Sequence, residues 1–540
     1  MAAFVQQPCD EVLIHSKAAV APCARASGPW ILAATILGSS MAFIDGTAVN
    51  VALPALQQSL GATVINVQWV VESYSLLLSA LLLMGGSLGD YYGRRRIFIA
   101  GVAIFSLASA WCGFAGNVRE LIFARAMQGA GGALLVPGSL AIISASFRDQ
   151  DRGHAIGTWS GFTAITAAIG PVLGGWLIEH VSWRAVFFIN LPLAAAVLVI
   201  SLWRVPESRD ENQKARLDWL GAMLATIGLG SLIYGLIESS RLHFGHPAVI
   251  AALTGGTFFL IVFLVVEARA KNPMLPLALF RSRDFTGANL LTLFLYSALG
   301  GALFFLPLNL IQVQGYTATA AGAALLPFIL IVFFLSRWSG GLVERYGGRL
   351  PLVLGPIIAA IGFALFVVPG VGAHYWSKFF PAVAVLGLGM AVSVAPLTTV
   401  VMNSVPGNRV GVASGINNAV SRVAGLLAIA VFGILMLDLF NHSLDSRLSQ
   451  LRLPASVQIS LANQRINLAA IKIPEELAPP LLQPVRESIN ESFVHGFRGI
   501  MILGAALALT SGITSLLLIN GRARRVQPPD AQKCKFATSR

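Results

Sequence analysis

The sequence has little charge and few cysteines for a chain of its length. Only 11% of its 540 residues are Asp, Glu, Lys or Arg, whereas 56% are hydrophobic, and the mean hydropathy is +0.74. So little charge in so apolar a chain excludes an ordinary water-soluble protein. Its four cysteines, Cys9, Cys23, Cys112 and Cys534, do not have the spacing of a metal site or of a disulfide framework. We therefore expect a bilayer protein with no metal site.

Motifs of nucleotide-driven and hydrolytic proteins are absent as well. The sequence has no Gly-x-x-x-x-Gly-Lys-Ser/Thr loop, no His-Glu-x-x-His and no nucleophile elbow. We therefore expect neither an enzyme nor a cofactor, so any work must come from an ion gradient or from a solute's own gradient. The formal charge of +13 arises from short basic clusters between apolar runs. That distribution argues against a nucleic-acid partner and favours placement relative to a membrane.

Fourteen apolar windows of membrane-spanning length divide the chain. They begin near residues 30, 67, 96, 120, 153, 183, 218, 247, 284, 320, 350, 378, 410 and 499. If both termini are assigned to the cytoplasm, most Lys and Arg residues fall in cytoplasmic segments, as the positive-inside rule requires. The sequence thus predicts an all-α, multi-pass protein of the cytoplasmic (inner) membrane with 14 transmembrane helices and both termini in the cytoplasm.

An internal repeat organises these spans. The stretch Gly86-Ser-Leu-Gly-Asp-Tyr-Tyr-Gly-Arg-Arg-Arg96 closes the second span, and a weaker copy returns 254 residues later at Gly340–Arg349, with Glu344 in place of the aspartate. A repeated motif at a repeated membrane depth is typical of transporters built from two related bundles. We expect two pseudo-symmetric six-helix bundles, at 30–204 and 284–520, joined by a linker with two inserted helices at 205–283. The tails 1–29 and 521–540 are predicted to be cytoplasmic, and the loop 438–498 to form an external cap of short amphipathic segments.

Three charged side chains fall inside predicted spans of the N-terminal half: Asp45, Glu72 and Arg125. A buried arginine needs a partner, and an acid beside it can exchange protons as the local charge changes. We predict that these three residues couple proton movement to transport, and two acids in the cavity would also favour a cationic solute. A purely structural ion pair is the alternative for Arg125, and Glu72 could instead attract a cation or make a structural hydrogen bond.

Further polar groups lie within the spans of both halves. Gln128 shares one face of the fourth span with Arg125, and Asn417, Asn418 and Arg422 lie in the thirteenth span, where we expect them to face the bundle interior. Contact with substrate in the cavity and hydrogen bonding between helices are equally consistent with this pattern.

Two glycine-rich motifs indicate tight helix contacts. Gly86, Asp90, Gly93, Arg94 and Arg95 form a turn whose glycines permit close packing and whose arginines are expected to face anionic lipid headgroups. We predict a cytoplasmic gate there. Gly170, Pro171, Gly174 and Gly175 combine a helix kink with a surface of small residues, which fits either a bendable element or a tight structural crossing.

The segment from Gly86 to Arg95 resembles the cytoplasmic signature of the major facilitator superfamily. Four more strings resemble its fourteen-helix drug:proton antiporter branch: 45–54, 69–74, 125–129 and 183–192. The resemblance implies proton coupling by Asp45 and Arg125, and an antiporter motif at Gly170-Pro-Val-Leu-Gly-Gly175 that is associated with exporters. Glu72 departs from the pattern, since many relatives carry a small hydroxyl residue at that position.

These features favour proton-coupled export of small amphiphilic or drug-like compounds by alternating access. The expected partners are protons, an amphiphilic solute and a bilayer with anionic headgroups, and the sequence does not decide whether a periplasmic adaptor joins them. Uptake or facilitated diffusion of a metabolite is one alternative, against which the exporter-type string at Gly170 argues. A non-transporting receptor or scaffold is another, but it has no need of costly intramembrane charge.

Overall fold

A computed structural model describes residues 27–147, 149–209, 218–270, 273–405, 410–451, 453–474 and 476–520. Over these residues the chain consists of helices and connecting turns without a strand, as the sequence predicts. The two predicted cytoplasmic tails lie almost entirely outside the described residues. The fourteen principal helices are α1 (Gly28–Leu60), α2 (Val64–Tyr92), α3 (Arg94–Phe114), α4 (Val118–Ser146), α5 (Asp149–His180), α6 (Asn190–Arg204), α7 (Trp219–Leu242), α8 (Pro247–Arg269), α9 (Arg283–Leu308), α10 (Leu326–Gly340), α11 (Arg349–Leu365), α12 (Phe380–Asn403), α13 (Val410–Leu448) and α14 (Pro479–Leu518).

The principal helices follow from the physics of the bilayer. Without water in the hydrocarbon region, each backbone N–H and C=O group needs an internal partner, and a helix supplies it. Among the described residues, twelve segments are long and apolar enough to cross a membrane. Helix α5 and the shorter apolar helix α11 complete the set of fourteen that the sequence predicts, and the number of actual spans stays a prediction.

The helices pack in two groups with a pair between them. In the N-terminal half α4 packs along α2 and α3, and α1 packs along α5 and α6. In the C-terminal half α9 packs along α13 and α14, α11 along α12 and α14, and α10 along α12. Helices α7 and α8 pack against each other, and α7 also contacts α2 and α13. Thus α7 touches both halves of the molecule.

The stretch 438–498 is more helical and more continuous than a cap of short segments. Helix α13 runs on to Leu448 and α14 already begins at Pro479, with only the short helices Ala455–Asn463 and Arg465–Ala470 between them. Apolar side chains in these extensions, including Phe440, Leu444 and Ile489, are buried. Because each extension continues the helix's own hydrogen bonding and buries an apolar face, the last helix starts earlier than hydropathy alone predicts.

The repeat detected in the sequence is also visible in the backbone. Gly93 has a φ of +110° between α2 and α3, and Gly347, at the matching position 254 residues later, has a φ of +77° just before α11. Residues with a Cβ rarely adopt such a φ, so each copy of the motif needs glycine at this turn.

Close approach between α2 and α4 depends on the lack of a side chain at Gly129. A Cβ atom at this position would lie 3.0 Å from the carbonyl carbon of Tyr74, inside normal contact distance. This crossing brings the polar face of α4, with Arg125 and Gln128, into the centre of the N-terminal half.

Candidate functional site

A buried ion pair joins α1 to α4. The carboxylate of Asp45 is 0% exposed and accepts a hydrogen bond from Nη1 of Arg125, whose side chain is 1% exposed. Gln128 Nε2 donates to the other carboxylate oxygen of Asp45 over 2.8 Å, and Gln128 Oε1 accepts from Arg125 Nη1 over 2.7 Å. Three residues that the sequence predicts for the site therefore form one closed network, which we call the Asp45 cluster.

A second set of groups holds the Asp45 cluster in place. Ser109 on α3 accepts a hydrogen bond from Gln128 Nε2 over 2.7 Å and another from Asn190 Nδ2 on α6 over 3.2 Å. Arg125 Nε donates to the backbone carbonyl of Val70 over 3.1 Å, and its guanidinium lies 4.2 Å from the ring centre of Tyr74. The sequence analysis did not identify these supports, since a lone Ser, Asn or Tyr in a membrane helix gives no distinctive signal.

A cavity of about 610 Å³ lies between the two halves, beside the Asp45 cluster. Its wall combines aromatic and aliphatic side chains with a few polar ones, and two of the lining residues, Arg125 and Arg422, are charged. The other polar lining residues are Thr47, Asn50, Tyr74, Ser75 and Tyr296, and the aromatic wall includes Phe43 and Phe328. Polar groups spaced on an apolar wall are typical of sites for small organic molecules.

Arg125 connects the cavity to the buried acid. Its side chain lines the cavity, whereas Asp45 and Gln128 lie behind it and are not among the lining residues. The guanidinium of Arg125 therefore lies between a solute in the cavity and the carboxylate of Asp45, so the solute contacts Arg125 and not Asp45. No Asp or Glu is among the described residues that line this cavity, so the two acids on which the expectation of a cationic solute was based do not form its wall.

Glu72 lies apart from the Asp45 cluster. It is 0% exposed, and neither of its carboxylate oxygens has a hydrogen-bond partner among the described residues. Its neighbours on the same helical face, Trp69 and Leu76, pack with residues of α7 and α13. Glu72 therefore points to the seam where α2, α7 and α13 meet, and the structure does not bring it together with Asp45 and Arg125.

The three predicted cavity residues of α13 have different surroundings. Arg422 lines the cavity. Asn417 instead donates to Thr292 Oγ1 over 2.7 Å and to Asn289 Oδ1 over 3.2 Å, both on α9, which is the interhelical alternative. Asn418 is exposed and donates to the backbone carbonyl of Ser414 one turn earlier on its own helix.

The predicted cytoplasmic gate motif forms a compact turn between α2 and α3. Asp90 Oδ1 accepts a hydrogen bond from Arg94 Nε over 2.8 Å and forms an ion pair with Arg94 Nη2, also at 2.8 Å. Gly86 faces Pro137 of α4, with room for ordinary contact. The turn itself is made at Gly93, whose conformation is described above.

Glu207, which the sequence analysis did not single out, anchors the basic part of this turn. Its Oε1 accepts from the backbone N–H of Arg95 over 3.1 Å, and its Oε2 lies 3.6 Å from Nε of Arg96. Two of the motif's arginines thus pair with acids of the protein itself, Arg94 with the motif's own aspartate and Arg95 with the acid three residues beyond α6. That the arginines face lipid headgroups stays a prediction. Arg96 is 75% exposed.

The predicted antiporter motif on α5 packs against two partners. Gly170 and Gly174 face α1, where a Cβ on Gly174 would lie 2.7 Å from that of Ala48. Gly175 faces the short helix Ala318–Ala323, which precedes α10 in the other half, and Gly322 of that helix in turn meets the backbone of Pro171. The small residues thus make a crossing between the halves as well as one within the N-terminal half.

The halves are also hydrogen-bonded at the end of the helices that contains Gln57, Gln68 and Glu179, here called the outer end. Gln312 Nε2 donates to Gln57 Oε1 over 2.7 Å, and Gln68 Nε2 donates to the carbonyl of Ile429 over 3.2 Å. The backbone N–H of Thr319 donates to Glu179 Oε1 over 2.7 Å. The outer end is therefore closed by direct contacts in this conformation.

The family model described as Major Facilitator Superfamily matches residues 35–429 of this chain. The chain belongs to the major facilitator superfamily. It is 33% identical over 484 residues to multidrug resistance protein Stp of Mycobacterium tuberculosis, covering 88% of this chain and 89% of that protein. It is 31% identical over 516 residues to the tetracenomycin C resistance and export protein of Streptomyces glaucescens, covering 94% of each chain.

Solved structures support the same fold. A bacterial homolog of the human lysosomal transporter Spinster, in an inward-facing and occupied conformation, superposes with a TM-score of 0.63 at 14% identity. The match covers 92% of this chain and 97% of that one. The chain is therefore a multi-pass membrane transporter of the major facilitator superfamily and not an enzyme. Among the described residues, no group of three or more His, Cys, Asp or Glu side chains is placed to hold a metal ion.

Proposed function

We propose that this transporter exports small amphiphilic compounds across the cytoplasmic membrane in exchange for protons. The observation that carries the proposal is the Asp45 cluster: a solvent-excluded carboxylate whose ion-pair partner, Arg125, lines the central cavity. Relatives of similar length that are named for multidrug resistance and for tetracenomycin C export support the outward direction.

In this proposal Asp45 is the principal proton site. A proton on Asp45 removes the charge that compensates Arg125, and an uncompensated cation in a membrane interior is costly. The N-terminal bundle then rearranges so that Arg125 gains other partners. Because Arg125 lines the cavity, this rearrangement changes the cavity. Proton binding and the shape of the substrate cavity are thereby linked through a single guanidinium.

Glu72 has an assisting role in this proposal. An ionised carboxylate without a partner is expensive when fully buried, so the present packing of α2 against α7 and α13 favours the neutral acid. Opening of this seam would let Glu72 ionise. Glu72 would then add a second protonation step tied to movement between the halves.

Alternating access follows from the arrangement of the contacts. We propose that 30–204 and 284–520 are the two moving bundles, that 205–283 supplies the inserted pair, and that the outer end faces away from the cytoplasm with both termini inside. The contacts of Gln57, Gln68 and Glu179 would break when the outer end opens. The turn of Asp90 would then form the opposite gate, with Arg96 directed to anionic headgroups; a periplasmic adaptor is not required by this scheme.

Everted membrane vesicles test the proposal. Vesicles are acidified inside by respiration, a proton-sensitive dye reports the internal pH, and cationic, neutral and anionic aromatic compounds are added in turn. Exchange predicts that a transported compound raises the internal pH and accumulates only while the proton gradient lasts. Matched vesicles without the protein control for passive entry. Accumulation that persists after an uncoupler is added would overturn proton exchange, and uptake with protons would produce compound movement in the opposite direction.

A further inference from the structure

The central cavity has an uncompensated positive charge. Arg422 lines it, and its guanidinium makes no hydrogen bond or ion pair with any residue that the structure describes. The other lining cation, Arg125, is already paired with Asp45. The described wall therefore presents one net positive charge, from Arg422, and no carboxylate to balance it.

An unpaired cation inside a membrane protein is expensive, so its retention calls for a counter-ion that is absent from the wall itself. Aromatic rings surround the same space: Phe43, Tyr74, Tyr296 and Phe328 all line the cavity. The hydroxyl of Tyr296, which lines the cavity, also makes no hydrogen bond with a described residue. A cationic group, a free hydroxyl and aromatic walls in one cavity match a ligand that carries an anionic group on an apolar, planar body.

We propose that the cavity selects anionic aromatic amphiphiles, with Arg422 as the counter-ion of the solute's negative group and Tyr296, in the same wall, as a hydrogen-bond donor to the solute. This inference rests on the proposed export function and defines its substrate class. Arg422 determines the charge preference, whereas Asp45 and Arg125 determine the coupling. The two roles are on different helices, α13 for selection and α1 with α4 for coupling, so they are separable by mutation.

Three fluorescent congeners test the charge preference. Anthracene-2-sulfonate is permanently anionic, anthracene-2-sulfonamide is neutral, and a trimethylammoniomethyl anthracene is permanently cationic, so a pH gradient does not redistribute either ion passively. Purified protein in phosphatidylcholine vesicles is expected to bind and transport the sulfonate about tenfold better than the ammonium compound. A preference for the ammonium compound, with transport intact, would overturn the proposal while leaving export itself established. Failure to transport any congener or any compound of the wider panel would instead contradict the proposed function.

Variants of Arg422 separate selection from folding. Arg422→Gln is expected to lower sulfonate transport about tenfold while sulfonamide transport changes little, since only the charge–charge contact is lost. Arg422→Lys should keep most sulfonate transport, and Arg422→Glu should reverse the preference in favour of the ammonium compound. Arg241→Gln, which alters an arginine paired with Glu238 away from the cavity, is the matched control and should change none of these ratios. An unchanged ratio of sulfonate to sulfonamide in Arg422→Gln would overturn the assignment, and the Lys and Glu variants decide the matter if the Gln variant fails to fold.

A further experiment tests whether the anion that binds Arg422 is a transported solute or a lipid headgroup. Anionic lipid headgroups have the same chemistry as an anionic solute. Sulfonate binding is therefore compared in phosphatidylcholine vesicles and in vesicles that also contain about 20% of the anionic lipid phosphatidylglycerol. Unchanged binding supports a transported solute, whereas displacement by phosphatidylglycerol would overturn that assignment in favour of a lipid site.

Discussion

The carboxylate of Asp45 is held by Arg125 across the interface of α1 and α4, and only Arg125 of this pair lines the central cavity. The Asp45 carboxylate therefore makes no direct contact with the cavity. Any change in its charge acts on the cavity through the position of one guanidinium. Such an arrangement links a proton to a solute without contact between them.

Asp45→Asn is expected to abolish substrate-dependent proton movement. Asparagine keeps the size of the side chain and an oxygen that accepts from Gln128, but it cannot carry the charge that pairs with Arg125. Proton-driven efflux should fall at least about tenfold, since an interaction with a buried charge is lost. Dye-reported pH in everted vesicles provides the measurement.

Asp445→Asn is the matched control for this substitution. It removes the acid of an ion pair with Arg465 whose Asp445 side chain is 57% exposed, so coupling should be unchanged. Normal proton-driven efflux in Asp45→Asn would remove the Asp45 cluster from the mechanism.

Glu72→Gln is expected to fold normally and to lower the number of protons moved per solute. Because the Glu72 carboxyl has no partner among the described residues, an uncharged amide of similar size fits the packed conformation. The ratio of proton flux to solute flux, measured on the same vesicles, should fall, while thermal unfolding should shift little. If both ratio and rate equal those of the parent protein, Glu72 is a structural residue only.

Gly129→Ala should destabilise the protein and disturb the site. The added methyl group meets the backbone of Tyr74, so α2 and α4 must separate at the level of Arg125. Overpacking of this kind costs about 1–3 kcal/mol, which thermal unfolding in detergent would detect. Gly255→Ala on α8 is the control, because a Cβ there would have no atom within 4 Å. Equal stability of the two variants would show that the crossing can widen freely.

The outer end should close and open again in each transport cycle. The side-chain amides of Gln57 and Gln312 are 2.7 Å apart, so cysteines at these positions in a cysteine-free background should react together with a short bifunctional thiol reagent. Cross-linked protein should lose transport. Gly175→Ala should slow the cross-linking, since its methyl group pushes Ala318–Ala323 away from α5. Full transport by cross-linked protein would contradict opening of this end during the cycle.

Export of an anion in exchange for a proton should be strongly electrogenic. A one-for-one exchange moves two equivalents of charge in the same direction, so a membrane potential of 100 mV contributes about 4.6 kcal/mol. In vesicles with a potassium diffusion potential, sulfonate efflux should accelerate when the side that the solute leaves is negative. Insensitivity to the potential would indicate electroneutral exchange and so a cationic solute.

The sequence predicts the helices of this fold well because the bilayer leaves few alternatives. All fourteen apolar windows correspond to helices, and the Gly93 turn is repeated at Gly347 as the internal repeat predicts. The start of α14 was missed because the extension from Pro479 is amphipathic, so hydropathy alone does not distinguish it from a loop.

The site was predicted only in part. Asp45, Arg125 and Gln128 were found because charged and polar groups are rare and costly in membrane helices. Their spacing along separate helices does not reveal which face each helix turns to the cavity, so the sequence did not show that Glu72 lies at a different helix contact from Asp45 and Arg125. Ser109 and Glu207 were not predicted. The contact of Ser109 with Gln128 depends on how α3 and α4 pack, and the contact of Glu207 with Arg95 depends on the course of the chain beyond α6.

The position of α7 has a consequence for how solutes arrive. Because α7 lies against both α2 and α13, it covers the seam between the halves on that side of the molecule. A compound dissolved in the lipid leaflet would find this lateral approach blocked by a helix. The inserted pair therefore acts as a lateral wall, and we expect compounds dissolved in the bilayer to reach the cavity by a path that does not cross α7.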